Sequence, residues 1–351
     1  MKKVQDIDLK DKKVIFRVGL DMSIENGHAK EKFKIEVIKK AADYLMGKGA
    51  KIAIMTYLGR PDGKKDMNFS LRQIRDDIEK ILGYKIIFVA DCIGEEVAKA
   101  MNKLKKGEMA LLENVRFYSG EGSVKTGEDY DVNFAKKLAQ NFDVFVNDAF
   151  SQSHRNQASI SGIPKFIPSY AGILLQKEIE EMEKIKNNFA RLAVAIIGGA
   201  KIETKLPVIK FFEKIYDYVL VGGKIANEAL DQKIEFSEKV ILPIDFIDDR
   251  LDIGLETLKK FKEIIKTAKI IVWNGPLGKF EEEKYSHGTY EVLDAILENK
   301  NAYTVLGGGE TLEALERKDA VGKISFVSTG GGAMLEYLEG KKMPGIEALE
   351  K

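Results

Sequence analysis

Lys201 and Lys205 stand four residues apart, directly after Gly198 and Gly199, where the apolar run 192–197 stops. An apolar run of that length predicts a buried parallel strand, and 202–215 reads as the helix that follows. A strand ending in glycines lets backbone N–H groups approach an anion, and the helix start adds a favourable dipole. Lysines four apart lie on one helical face, so the stretch outlines a phosphate site. It also fits a tight turn with solvated lysines. The Walker pattern GxxxxGK[ST] is missing here. The same punctuation recurs at 218–227, 270–278, 304–311 and 326–333, each an apolar run closed by glycines ahead of a helix. Several such strand ends on one sheet edge describe a nucleotide crevice, and since no GxGxxG opens these helices, a dinucleotide site is not expected.

Arginine carries the signal in the first half. Of nine arginines in the chain, Arg17, Arg60, Arg116 and Arg155 each fall at or just after a predicted strand end. Ligands of open α/β sheets bind at those ends, and a guanidinium grips phosphate or carboxylate with a planar fork. The four together imply a small, multiply charged anion, the alternative being surface ion pairs. His154, beside Arg155, reads as a helper of loop geometry.

Elements that position these residues follow from apolar periodicity. Strands are expected at 13–18, 51–57, 85–90, 108–115 and 144–147, with a first helix over 32–46, and later strands begin near 192, 218, 239, 269, 302 and 324. Strands alternating with helices predict the class α/β, with two doubly wound parallel-sheet domains of Rossmann type. The polar loops 59–66 and 118–131 interrupt this pattern, and the second shows no structural signal beyond flexibility. Residues 1–170 form the expected anion-binding domain, 171–187 a connecting helix with closure hinging at its ends, 188–336 the nucleotide domain, and 337–351 a tail. At 351 residues two cores are the default. Charge is balanced, 56 Lys+Arg against 55 Asp+Glu, which gives no overall pull toward nucleic acid or membrane. One cysteine and three histidines offer no disulfide and no zinc cluster, and the N-terminus lacks a signal-peptide core, so a cytoplasmic location is expected.

The blocks YLGRP, ENVRF, NDAF, SHRNQAS, GGAKIETK, WNGPLGKFE, GGGET and STGGGA occur in this order over essentially the whole chain. Together they resemble the phosphoglycerate kinase family. The resemblance implies two domains joined by a helix, the first binding 3-phosphoglycerate and the second ATP/ADP, with the tail returning to the first. It implies reversible phosphoryl transfer giving 1,3-bisphosphoglycerate, with Mg2+, by a monomer that binds neither nucleic acid nor membrane. Positioning and charge neutralisation are what such a transfer requires.

Carried over by position, the resemblance makes Lys201, Gly331 and Lys34 catalytic. Lys205, Gly254, Asn274, Glu281, Gly307, Gly308, Gly309, Glu310 and Thr311 take the nucleotide, and Glu310, where the family has aspartate, takes the metal. Lys224 stands where the family has a glycine near the base, and reads as a solvated lysine. Arg17, Asp21, Tyr57, Arg60, Arg116 and Arg155 bind the acid. Here the chain departs from the family: RVDFN becomes Arg17-Val18-Gly19-Leu20-Asp21, and two family histidines become Tyr57 and Gln157. Asp21 is expected to share a strand face with the lost carboxylate at 19 and partly replace it. Lys34 replaces a catalytic arginine, with Lys32 and Lys30 as alternative counterparts. These departures keep two rivals open: a kinase for another phosphorylated acid, and a nucleotide-binding relative without catalysis.

Overall fold

The computed structural model describes residues 1–122, 129–187 and 191–350. Its contacts divide the chain into Met1–Ile179 with Lys342–Lys351, and Glu180–Lys341. Each unit holds one six-stranded, all-parallel sheet. In the first, β1 (Lys13–Arg17), β2 (Lys51–Met55), β3 (Lys85–Val89), β4 (Glu108–Leu112), β5 (Val144–Asn147) and β6 (Ser169–Ala171) lie in the order β3-β4-β2-β1-β5-β6. The chain leaves β1 in one direction for β2 and returns later to its other side with β5, so the order reverses at the β1/β5 seam. In the second, β7 (Ala193–Ile197), β8 (Tyr218–Val221), β9 (Val240–Ile241), β10 (Ile270–Asn274), β11 (Tyr303–Gly307) and β12 (Phe326–Ser328) take the order β9-β8-β7-β10-β11-β12, reversing between β7 and β10. Crevices outside the strand carboxyl ends at such reversals are the ligand sites of open α/β sheets.

Both sheets are covered on their two faces, which is why strands such as β7 are apolar and buried at every position. Register places the ends level. Arg17 pairs with Met55 and Asn147, and Asn274 with Ile197 and Gly307. Residues that follow β1, β2 and β5 therefore share one edge, as do the glycines that follow β7, β10 and β11.

Three expectations change. The helix read over 32–46 is a single turn, Phe33–Glu36, followed by a separate helix, Lys39–Gly47. A sixth strand, β6, was not foreseen, because three residues after Pro168 are too short for a periodic signal; the connecting helix begins two residues later, at Ile173. Of the loop at 118–131, residues 123–128 lie outside the described ones, but Glu121 is buried and anchored rather than merely flexible.

The connecting helix, Ile173–Asn187, is held at its start by Asp148, whose Oδ1 accepts from the Leu175 N–H at 2.9 Å. A Cβ on Gly172 would meet that oxygen at 2.2 Å, so glycine is needed for the carboxylate to reach the helix. Burial pushes the Asp148 carboxyl up to about 7, with nearby Glu178 adding to the shift. A carboxyl raised from 3.8 in this way favours the fold below about 3.8, and that contribution is lost as pH rises to about 7. Asp148→Asn keeps an acceptor oxygen without the charge. Its stability relative to wild type in chemical denaturation should therefore climb between pH 4 and pH 7 and then level; a difference independent of pH would contradict the buried-acid assignment.

Candidate functional site

The first cluster forms beyond β1, β2 and β4. Arg17, the last residue of β1, is fully buried. Its Nε donates to Ser159 Oγ at 3.0 Å and its Nη1 to the Val18 carbonyl at 2.5 Å, while Nη2 has no partner among the described residues. Ser159 passes the charge on: its hydroxyl and N–H donate to Glu121 at 2.6 and 3.0 Å. Burial lowers the Arg17 guanidinium to about 10 against the opposing pull of Glu121, and raises the Glu121 carboxyl against the pull of Arg17. Arg17 stays charged at neutral pH.

Tyr57 is the platform for a second guanidinium. Arg116 lies 3.4 Å from the Tyr57 ring centroid and Arg17 5.6 Å from it, the face-on geometry of a cation–π contact. Arg116 also donates to the Gly59 carbonyl at 2.9 Å and Gln152 Oε1 at 3.4 Å, leaving its buried Nε open. Burial and Asp21 push the Tyr57 hydroxyl up to about 12, so it remains a neutral donor to that carboxylate. Arg60 is exposed and Arg155 half-buried, and neither guanidinium hydrogen-bonds to a described residue. Burial and Arg155 hold His154 down at about 4, so it is neutral at pH 7. Gln157, standing for a family histidine, is buried with both amide ends unpartnered among the described residues. Open donors on Arg17, Arg116 and Gln157, beside two uncommitted guanidiniums, suit an anion with several oxygens.

Asp21 does not sit as expected. Strand β1 ends at Arg17, so positions 19 and 21 are not related by strand alternation. Its Oδ1 accepts from the Gly59 N–H at 2.9 Å, and its carbonyl accepts from Lys34 Nζ at 2.5 Å. Lys34 is half-buried on the one-turn helix, whereas Lys32 and Lys30 are exposed.

The second cluster lies beyond β7, β10, β11 and β12. Backbones approach so closely here that side chains are excluded: a Cβ on Gly198 would meet the Pro276 carbonyl oxygen at 2.0 Å, and Gly275 has φ +92°. The result is a cavity of about 660 Å³ lined by Gly199, Lys205, Asn274, Gly308, Glu310 and Gly331, among others. The helices Gly309–Arg317 and Gly331–Leu338 begin at its wall. Lys205 Nζ donates to Asn274 Oδ1, and burial lowers its ammonium to about 8 although Glu310 and Glu339 oppose the shift. Asn274 Nδ2 is buried and unpartnered among the described residues, and Thr311 Oγ1 accepts from the Gly275 N–H at 2.8 Å. The Glu310 carboxyl is raised by partial burial and by Glu281.

Gly309 and Thr311 share this cavity, while Lys201, Gly254, Glu281 and Gly307 are not among its lining residues. Lys201 is exposed ahead of the helix Ile202–Ile215. Gly254 precedes the helix Leu255–Thr267, packed so tightly on Asp245 that a Cβ would come within 2.3 Å. Gly307 lies behind the wall, against Met334. Lys224 is largely exposed, 3.8 Å from Glu228, as a solvated lysine would be. Sequence reasoning missed Glu121, Ser159 and Gln152, which support the arginines, and Glu339, whose neighbour across the wall is Lys341 at 2.6 Å. ENVRF and SHRNQAS had bracketed the first three. Among the described residues no group of three or more His, Cys, Asp or Glu could hold a metal, and no helix is long and apolar enough to cross a membrane.

Comparison with known proteins gives one answer. The phosphoglycerate kinase family model matches residues 4–240 and 231–341. The phosphoglycerate kinase of Borrelia garinii subsp. bavariensis is 36% identical over 386 positions, covering 97% of this chain and 96% of that protein. That span exceeds the chain's 351 residues, so the chain carries gaps against it. The Pelotomaculum thermopropionicum enzyme is 35% identical, covering 99% and 98%. Among solved structures, phosphoglycerate kinase from Pyrococcus horikoshii OT3 superposes with TM-score 0.87 at 29% identity over 100% of this chain and 98% of that one. Two sheets with the expected topology, the glycine-walled cavity and full-length similarity together establish that the chain belongs to the phosphoglycerate kinase family, phosphotransferases with a carboxyl group as acceptor.

Proposed function

We propose that this chain moves a phosphoryl group reversibly between ATP and the carboxylate of 3-phosphoglycerate, as a magnesium-dependent cytoplasmic monomer. The observation that carries the reading is the set of buried donors left open, Arg17 Nη2 and Arg116 Nε in one cluster and Asn274 Nδ2 in the other. Buried polar groups without partners are costly, and they persist where a ligand supplies the acceptor. Arg17, Arg60, Arg116 and Arg155 neutralise the acid's anionic groups. Lys205 and the backbone N–H groups that open the helices at Gly309 and Gly331 neutralise nucleotide phosphates. Lys201 and Lys34 supply mobile positive charge to the transferring group, Lys34 by leaving the Asp21 carbonyl. Gly254 and Glu281 serve the nucleoside end.

Glycines at 199 and 308 leave room for phosphate oxygens that a Cβ would fill, so the cavity suits a nucleotide. Magnesium keeps several waters and takes one or two carboxylates together with phosphate oxygens, which Glu310 at a phosphate-accepting helix start fits. When bound, the ion offsets charge on the transferring oxygens. The single cysteine, Cys92, is buried and its thiol donates to the Glu113 carbonyl; one cysteine leaves no intrachain disulfide to form, which suits a cytoplasmic enzyme.

In a coupled assay with ATP and magnesium, 3-phosphoglycerate should be turned over. ATP binding with no turnover on this acid would reject the reading in favour of another acid or of lost catalysis. Lys205 supplies a second check. Its ammonium, held near 8 in the free protein, is the form that attracts phosphate, so the KM for ATP should rise several-fold between pH 7.5 and pH 9. Lys205→Arg, charged throughout, should flatten that rise; an equal rise in both proteins would exclude Lys205 as its cause.

A further inference from the structure

At the β1/β5 seam, Gly19 follows β1 and Ser151 follows β5. A Cβ built on Gly19 would lie 2.4 Å from Ser151 Oγ, and its only other neighbour within 4 Å is Ser151 Cβ at 3.8 Å. Gly19 does not have a positive φ, so its backbone would accept any L residue. A side chain at 19 and the serine hydroxyl in its present rotamer would compete for the same space. Ser151 is half-buried, and its hydroxyl makes no hydrogen bond among the described residues. Its carbonyl accepts from Gln152 Nε2 at 3.0 Å, and the other end of that amide receives Arg116 at 3.4 Å. The backbone that carries this hydroxyl is thus held to the arginine cluster through the Gln152 amide, and Gly19 is two residues from Arg17.

We infer that Ser151 is a specificity-determining residue of the acid site, its hydroxyl bonding the hydroxyl group of the phosphorylated acid in the space that Gly19 leaves. The inference rests on the proposed function. The acid carries two anionic groups and one neutral hydroxyl. Guanidinium and ammonium groups pair with the anions, and Ser151 is an uncommitted neutral group beside them that can both donate and accept. A carboxylate projecting from position 19 could only accept, and would add negative charge next to Arg17. Which of the two occupies this space, a side chain at 19 or the Ser151 hydroxyl, therefore sets both the polarity and the charge that the ligand meets.

Calorimetric binding of 3-phosphoglycerate and of 3-phosphonooxypropionate, the same acid without its hydroxyl, to the full chain tests this. Ser151→Ala should weaken 3-phosphoglycerate about tenfold, the loss of one hydrogen bond, and leave the deoxy acid and ATP unchanged. Gly19→Ala should reproduce that loss by displacing the hydroxyl, and should add nothing in a Ser151→Ala background, since both changes remove one contact. Equal weakening of both acids, no weakening of 3-phosphoglycerate, or additive losses would overturn the inference. Unchanged ATP affinity distinguishes each of these from misfolding. Wild-type protein that fails to bind 3-phosphoglycerate would remove the functional reading itself, a different and recognisable failure.

Discussion

Much of the first unit is arranged to keep the Arg17 guanidinium out of water. Taking a charge from water costs several kcal/mol unless its donors are met. Ser159 and the Val18 carbonyl meet two of them, Glu121 supplies the opposing charge through Ser159, and Tyr57 presents a ring face. The Nη2 amino group is left without a partner among the described residues. Parallel register then brings Tyr57, Gln152 and Ser151 to the same edge, so the Arg116 guanidinium stacks on the tyrosine and is steered by the amide. A buried ion pair is weak evidence for stability; a buried charge with an open donor is better explained by a ligand.

The second unit works by the opposite device. There, backbones rather than side chains converge. Gly198, Gly275 and Gly308 follow three adjacent, level strands; at Gly198 and Gly275 the backbones pack against each other, and the cavity opens beside them, at Gly199 and Gly308. Lys205 is partly desolvated by the same crowding, which lowers its ammonium to about 8. Backbone N–H groups need no rotamer ordering, so such a wall offers fixed donors to phosphate at little entropic cost.

Much of this was legible in the sequence because arginine is scarce, four of the nine falling at or after strand ends, and because glycines recur where the apolar runs of the second half stop. Strand lengths came from apolar runs, and the recurrent glycines marked one edge of the second sheet. Contacts made across sequence were not legible. Glu121 sits in a polar loop with no periodicity, and only the fold brings it to Ser159, 38 residues away. Asp21 was assigned to a strand face that ends four residues earlier, since the strand stops where Arg17 turns inward. The one-turn break after Glu36 was invisible because both helical pieces share a continuous apolar stripe.

If the buried charge serves the acid rather than the fold, exchanging it together with its counter-charge should separate stability from binding. Thermal unfolding of Arg17→Met/Glu121→Gln, with and without 3-phosphoglycerate, measures both at once. Without the acid, the double variant should unfold at or above the wild-type temperature, because a desolvated ion pair has been replaced by neutral groups of similar size. The rise in Tm that the acid gives wild-type protein should be largely absent. A double variant that melts well below wild type yet keeps the full acid-induced rise would contradict the account.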